Sequence, residues 1–341
     1  MMGAPGPVPT TSMFVDNFQR CHLHPNAEFF LSHAHSDHMK GLCPGRRLGK
    51  LHCSKGTALF LHMKFGKSPL TAMIRTHPVN EPFGVWDPKS RLMLSCTFVD
   101  AGHCPGSVII VFESDGLAEG RGPVIHTGDF RYHDELRQNP TLQRIANLAS
   151  SERRCQQIFL DATCAHEDLF RLPAKEASIA QLLDLLNRFS SARVFLHSHG
   201  LGDEGLWAAV ANDVRGRGKL LCSDKDRYEE VKIAEHSFCR CFCELIEPDA
   251  CLPDPIHRQV IVVANSRARG SDARLKDMAG IEISCSRMWW AKRARHHACD
   301  SWCRPVFDKY GVGILITALH LTRRAGRGSL KRLQHKILLC V

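Results

Sequence analysis

The sequence predicts an α/β protein of two domains, and three observations lead there. The chain has 341 residues, 44% of them hydrophobic, which is enough apolar material for two packed cores. Through about residue 130 it reads as short apolar runs broken by Gly, Pro and Asp. Beyond Asp161 apolar runs alternate with a stretch at helical spacing, the texture of a parallel α/β unit.

In chain order, the first strands are expected at Ala27–Leu31, Leu92–Leu94, Ser107–Phe112 and Val124–His126. Each is followed by a polar or Gly-containing segment carrying His or Asp, which is how a sheet presents ligands from the ends of its strands. Ile179, Leu182, Leu183 and Leu186 fall at i, i+3, i+4 and i+7, predicting an amphipathic helix over Lys175–Phe189. A strand follows at Arg193–Leu196, helix at Trp207–Val210 and a buried strand at Val260–Val263. The texture changes near residues 162–172. The expected domains are 1–165, 166–305, and a return of 306–341 to the first domain.

Composition excludes several classes. No run approaches the roughly 18 apolar residues of a membrane span, and the opening MMGAPGPVPTTS lacks the basic cap and apolar core of a signal peptide, so neither a membrane protein nor a secreted one is expected. The 16 cysteines are read as mostly reduced thiols, because disulfide frameworks belong to short exported domains. The net charge of +10 is uneven. Residues 261–341 hold 16 Lys+Arg against 5 Asp+Glu, or +11, leaving 29 against 30, or −1, for the rest. A basic C-terminal block suits a polyanion such as nucleic acid, and equally suits a solvated surface.

Twenty histidines direct attention to metal chemistry. The strongest signal is His33-Ala34-His35-Ser36-Asp37-His38, directly after an apolar strand. His33 and His35 are two apart in an extended segment, so both rings face one side and can share one metal. Asp37 and His38 can serve a second metal beside it. Further ligands are expected after later strands: His103 in DAGHCPGS, and Asp129 in TGDFR, a carboxylate able to bridge two cations with its two oxygens. Alone, His103 or Asp129 reads as a turn residue; the hexapeptide reverses that.

The order Asp16, the His33–His38 hexapeptide, His103 within HCPGS, Asp129 within TGDFR and Asp161 within LDATC resembles the metallo-β-lactamase nucleases that carry a β-CASP insert, in their DNA-processing Artemis/Apollo branch. The likeness runs from about Met13 to Val312 and is most specific through Asp161. It implies an αββα sandwich interrupted by a β-CASP α/β domain. It implies a first metal, Zn2+, on His33, His35, His103 and Asp129, and a second divalent ion, Zn2+ or Mg2+, on Asp37, His38 and Asp129, with His320 as a last ligand. Asp16 would orient the ligands. Asp37, Asp129 and Asp161 would be the catalytic carboxylates, Asp161 from the rim. The implied activity is phosphodiester hydrolysis in DNA repair, as an endonuclease or 5′–3′ exonuclease in the nucleus, on damaged ends, hairpins or overhangs and alongside repair proteins.

Departures from the pattern bear on that activity. Leu201-Gly202-Asp203-Glu204 puts a carboxylate where Apollo-type exonucleases carry a phosphate-holding Lys, which favours an Artemis-like endonuclease. His320 is followed by Leu-Thr-Arg-Arg instead of two serines, and residues 313–328 lose the family wording, as a shifted reading frame would. The chain stops at Val341, where relatives still have closing strands, predicting a less stable first domain. Cys239, Cys241 and Cys243 alternate as a strand face would, and His296-His297 with Cys299 and Cys303 is too loose for a structural zinc site. Met288–Arg295 sets two tryptophans against Lys292, Arg293 and Arg295, which either grip DNA or flank a buried aromatic. Two rival readings stand beside the nuclease: a catalytically impaired DNA-binding scaffold and an RNA-processing β-CASP nuclease.

Overall fold

The computed structural model describes residues 8–19, 21–114, 122–148 and 155–162, and beyond them residues 176, 179, 180, 182–184, 201, 202 and 209 with six short strands. The chain divides into two units, Met1–Thr163 with Arg324–Val341, and Cys164–Arg323.

The first unit holds two sheets. One consists of β1 (Met13–Val15), β2 (Glu28–Phe30), β3 (Leu51–Ser54) and β4 (Ile74–His77), side by side in that order and all parallel. Helices α1 (Lys55–Phe65) and α2 (Pro69–Ala72) lie in the β3–β4 connection. The other sheet is β5 (Pro82–Asp87), β6 (Leu92–Asp100), β7 (Val108–Glu113), β8 (Val124–His126) and β9 (Gln157–Phe159), antiparallel except for the parallel β8–β9 pair. Between β8 and β9 run α3 (Asp134–Gln138) and α4 (Pro140–Asn147), the latter started by Asn139, whose side chain accepts from Thr141 N and Leu142 N.

Side-chain alternation sorts these strands into layers. Met13, Val15 and Phe30 point inward to meet Leu94, Cys96, Phe98, Val108, Ile110 and Phe112 of the facing sheet, with Phe30 edge-on to Phe112 at 5.0 Å between centroids. Phe29 and Leu51 point outward beneath Ala58, Leu61 and Leu70 of the first helical layer. Val99, Ile109, Val111 and Ile125 point outward beneath Leu136, Leu142 and Ile145 of the second. The result is helix, sheet, sheet, helix.

The second unit holds one sheet in the order β11-β12-β10-β13-β15-β14, formed by β10 (Val194–His197), β11 (Lys219–Cys222), β12 (Gln259–Val263), β13 (Ile281–Cys285), β14 (Val306–Phe307) and β15 (Gly313–Thr317). All neighbours are parallel except β14 and β15. Glu176, Ile179, Ala180 and Leu182–Asp184 are helical, with Leu182 buried and Asp184 exposed, so the described part of the expected helix presents its apolar face inward. The C-terminal boundary differs from the sequence expectation. Residues 313–317 pair with β13 and residues 306–307 with β15, all in the second unit, because the apolar Ile-Leu-Ile run at 314–316 fits either sheet, and strand composition carries no address. No described helix is long and apolar enough to cross a membrane.

Candidate metal centre

The site residues leave the strands where their ladders end. Asp16 follows β1, the hexapeptide follows β2, His103 sits in the β6–β7 turn, Asp129 follows β8 and Asp161 follows β9. Asp16 takes a positive φ of 50°, a conformation Asp tolerates better than most residues, and its carboxylate thereby folds back over the end of β2. There it accepts from Ser32 N at 2.8 Å, from Ser32 Oγ at 2.6 Å and from His38 Nδ1 at 2.8 Å.

These bonds fix which nitrogen each ring presents. The Ser32 hydroxyl spends its proton on Asp16, so its oxygen accepts from His33 Nδ1 at 2.9 Å, and His33 Nε2 is left as a bare lone pair. His38, donating from Nδ1 to Asp16, likewise turns Nε2 outward. Burial holds the His33 pKa down to about 2, with the charge of His38 acting the same way, so this ring stays a neutral ligand.

Four donor atoms converge, those of His33, His35, His103 and Asp129, all within 4.8 Å of one another. His35 Nδ1 lies 2.9 Å from His33 Nε2 and 3.1 Å from His103 Nε2, and His103 Nε2 is 3.7 Å from Asp129 Oδ2. A tetrahedral zinc with bonds of roughly 2.0–2.1 Å separates its donors by about 3.3 Å, so the spacing fits one ion. Beside this set, His38 Nε2 lies 3.2 Å from Asp129 Oδ1 and 3.9 Å from Asp37 Oδ2. Asp129 thus turns one oxygen to each group. Burial works against charge on His38, but hydrogen bonds to Asp129 and Asp16 outweigh it and push its pKa up to about 10. Burial opposes ionisation of Asp129 too, yet its bond to His38 and the surrounding imidazoles hold its carboxyl well below the usual range. The inner group therefore offers neutral nitrogens and a carboxylate, and the outer group is a place for positive charge.

Asp161 does not join the convergent set; its backbone N donates to Thr127 Oγ1 at 2.9 Å, which places it beside the Asp129 turn. His320, Lys292, Arg293 and Arg295 lie outside the described residues, as do Asp203 and the cysteine cluster. The sequence reading missed the residues that hold the loops. Ser32 links Asp16 to His33. Ser107 Oγ accepts from His103 N at 3.2 Å and Cys104 N at 3.1 Å. Ser54 and Thr57, at the start of α1, clasp Gly106 O at 2.6 and 2.9 Å. The one available signal was a hydroxyl residue flanking each motif.

A sandwich of this layering with donors at these strand ends is the metallo-β-lactamase fold. The chain is similar over about 60% of its length to metallo-β-lactamase/β-CASP nucleases of the Artemis and Apollo type. It is 33% identical over 208 residues to the 5′ exonuclease Apollo of Gallus gallus, covering 61% of this chain and 40% of that protein. It is 32% identical over 195 residues to protein artemis of Danio rerio, covering 51% and 28%. With DNA ligase 6 of Arabidopsis thaliana it shares 29% identity over 218 residues, covering 63% and 13%. The chain spans less than half the length of these relatives. No family model matches it.

Proposed function

We propose that this chain is a metal-dependent DNA nuclease of repair, acting in the nucleus on hairpins, overhangs or 5′ ends. The observation that carries the reading is the convergence of His33, His35, His103 and Asp129 on one point, with His38 and Asp37 beside them. His33, His35, His103 and Asp129 would hold Zn2+, and Asp37, His38 and Asp129 a second divalent ion, Zn2+ or Mg2+, joined by His320 in the family pattern. Such a pair supplies charge that lowers the pKa of a water and neutralises the charge growing on a phosphodiester. The chain's own groups do the rest. Asp16 keeps both sets of imidazoles oriented, Asp129 spans the two positions, and Asp161 borders the substrate side. The carboxylate at Asp203 repels a terminal phosphate and favours endonucleolytic cutting. Lys292, Arg293 and Arg295 would grip the DNA backbone.

A second reading, a DNA-binding scaffold that cleaves poorly, is favoured by the Leu-Thr-Arg-Arg that follows His320. Labelled hairpin DNA, overhang DNA and RNA incubated with the Zn2+-loaded wild type and with Asp129→Ala distinguish these. Cleavage of DNA by the wild type, with at least a hundredfold loss in the variant, is expected, since removing the bridge disables both positions. Equal cleavage by both proteins defeats the nuclease reading; DNA binding without cleavage supports the scaffold, and cleavage of RNA alone supports an RNA-processing enzyme.

A further inference from the structure

His126, the last residue of β8, is three positions before Asp129 and belongs to no ligand set. Its ring is buried, 7% exposed, and stacks on Phe159 of the neighbouring strand with centroids 5.4 Å apart and planes 26° apart. Its Nδ1 accepts the backbone N–H of Gly128 at 3.2 Å. Its Nε2 is buried with no hydrogen-bond partner among the described residues. A neutral imidazole that accepts at Nδ1 carries its proton on Nε2. Burial holds the ring in that neutral form, opposed by the charge of Asp16 and aided by that of His38.

The segment that this bond governs is the turn that delivers Asp129. Gly128 adopts a φ of +53°, and a Cβ there would come within 2.6 Å of Ser32 Oγ, the atom that connects Asp16 to His33. Its carbonyl accepts from Thr127 Oγ1 at 2.8 Å. Both main-chain groups of Gly128 are therefore held by side chains, its N–H by His126 and its C=O by Thr127, while Ser32 fills the space a side chain at this position would need. A buried N–H must find an acceptor, and if His126 could not supply one the turn would rotate to find another, carrying Asp129 with it.

We infer that His126 is a positioning residue, whose neutral ring accepts the Gly128 N–H and so sets the Asp129 carboxylate against the imidazoles of His33, His35 and His103. The inference rests on the metal-centre reading above. It separates His126 from a merely space-filling aromatic by what each substitution retains. Asn keeps an acceptor, Oδ1, at the place of Nδ1; Phe keeps the ring and its stack on Phe159 but has no acceptor.

The experiment uses the full chain stripped of metal and titrated with Co2+, read by its visible absorption, with urea unfolding of each protein alongside. His126→Asn is expected to bind Co2+ within a few-fold of the wild type with the same spectrum. His126→Phe is expected to lose about 10–100-fold in affinity, the size of effect typical of groups behind a metal ligand, with a shifted spectrum. A folded His126→Phe that binds as the wild type does, or an Asn variant as impaired as the Phe variant, overturns the inference. Wild-type protein that takes up no Co2+ defeats the underlying metal-centre reading instead. Because His126→Phe can fail to fold, nitrogen-15 NMR of the wild-type imidazole at pH 7 gives an independent arm. Protonated Nε2 with bare Nδ1 is expected, and a proton on Nδ1 overturns the inference.

Discussion

Asp16 shows how one side chain organises several others. Its two oxygens accept three hydrogen bonds, and burial, which alone would raise its pKa, is outweighed by His38 and Ser32, so the carboxyl is held below its usual value. It stays charged and keeps His38 and, through Ser32, His33 turned toward the site. Ser32→Ala removes the middle member of that chain while leaving the Ser32 N–H bond to Asp16 in place. Loss of roughly 1–3 kcal/mol of stability is expected from the unsatisfied His33 Nδ1. Zn2+ affinity should fall about tenfold or more, because the ring can then present either nitrogen. Equilibrium dialysis of the folded variant checks this, and unchanged affinity would show that Asp16 does not act through Ser32. The hexapeptide was legible in the sequence because its chemistry is local: residues two apart on an extended chain share a side. Ser32 was not, since its part depends on Asp16, which reaches it from the neighbouring strand.

The elements show what periodicity can and cannot read. β2, β7 and β8 were legible as short apolar runs, and β6 only at its start, Leu92–Leu94, because Ser95 and Thr97 break the run that follows. β3 was not, although all four of its residues are buried, because two of them are His52 and Ser54, polar side chains that are satisfied only by neighbours. α1 buries only Thr57, Ala58 and Leu61, too few for a helical stripe to stand out. The junction of β3 with α1 nonetheless fixes the His103 turn. Gly106 takes a φ of +81°, and a Cβ there would lie 2.4 Å from Thr57 N. Gly106→Ala should therefore cost about 2 kcal/mol or more, the left-handed backbone alone accounting for roughly 1–2. A lowered urea midpoint with an unchanged slope is the expected result; wild-type stability would mean that the turn relaxes without reference to α1. This contact joins positions 49 residues apart and leaves no trace in local composition.

At the scale of the first unit, the inner face between the sheets carries a polar chain across three parallel strands. Glu28 on β2 bonds His52 Nε2 on β3 at 2.8 Å, His52 Nδ1 meets His77 Nε2 on β4 at 2.8 Å, and Lys50 pairs with Glu28 at 3.2 Å. His77 lies flat on Phe83, with centroids 3.5 Å apart and planes 6° apart. Loss of hydration, with His52 adding to it, lowers the His77 pKa to about 4 from 6.5. Between those values the unfolded chain binds a proton that the folded one refuses. The stability this contributes is complete above pH 6.5 and is lost as pH falls toward 4. His77→Phe keeps a ring on Phe83 and removes the titration. It costs stability at pH 7 through the lost bond to His52, but its unfolding free energy should fall less steeply than the wild type's between pH 6.5 and 4. Other buried imidazoles, such as His126, are common to both proteins and cancel in the difference. Urea unfolding at half-unit steps of pH measures the two slopes. Equal slopes would mean that His77 is hydrated enough in the folded state to take its proton normally, and that the aromatic stack does not shield it.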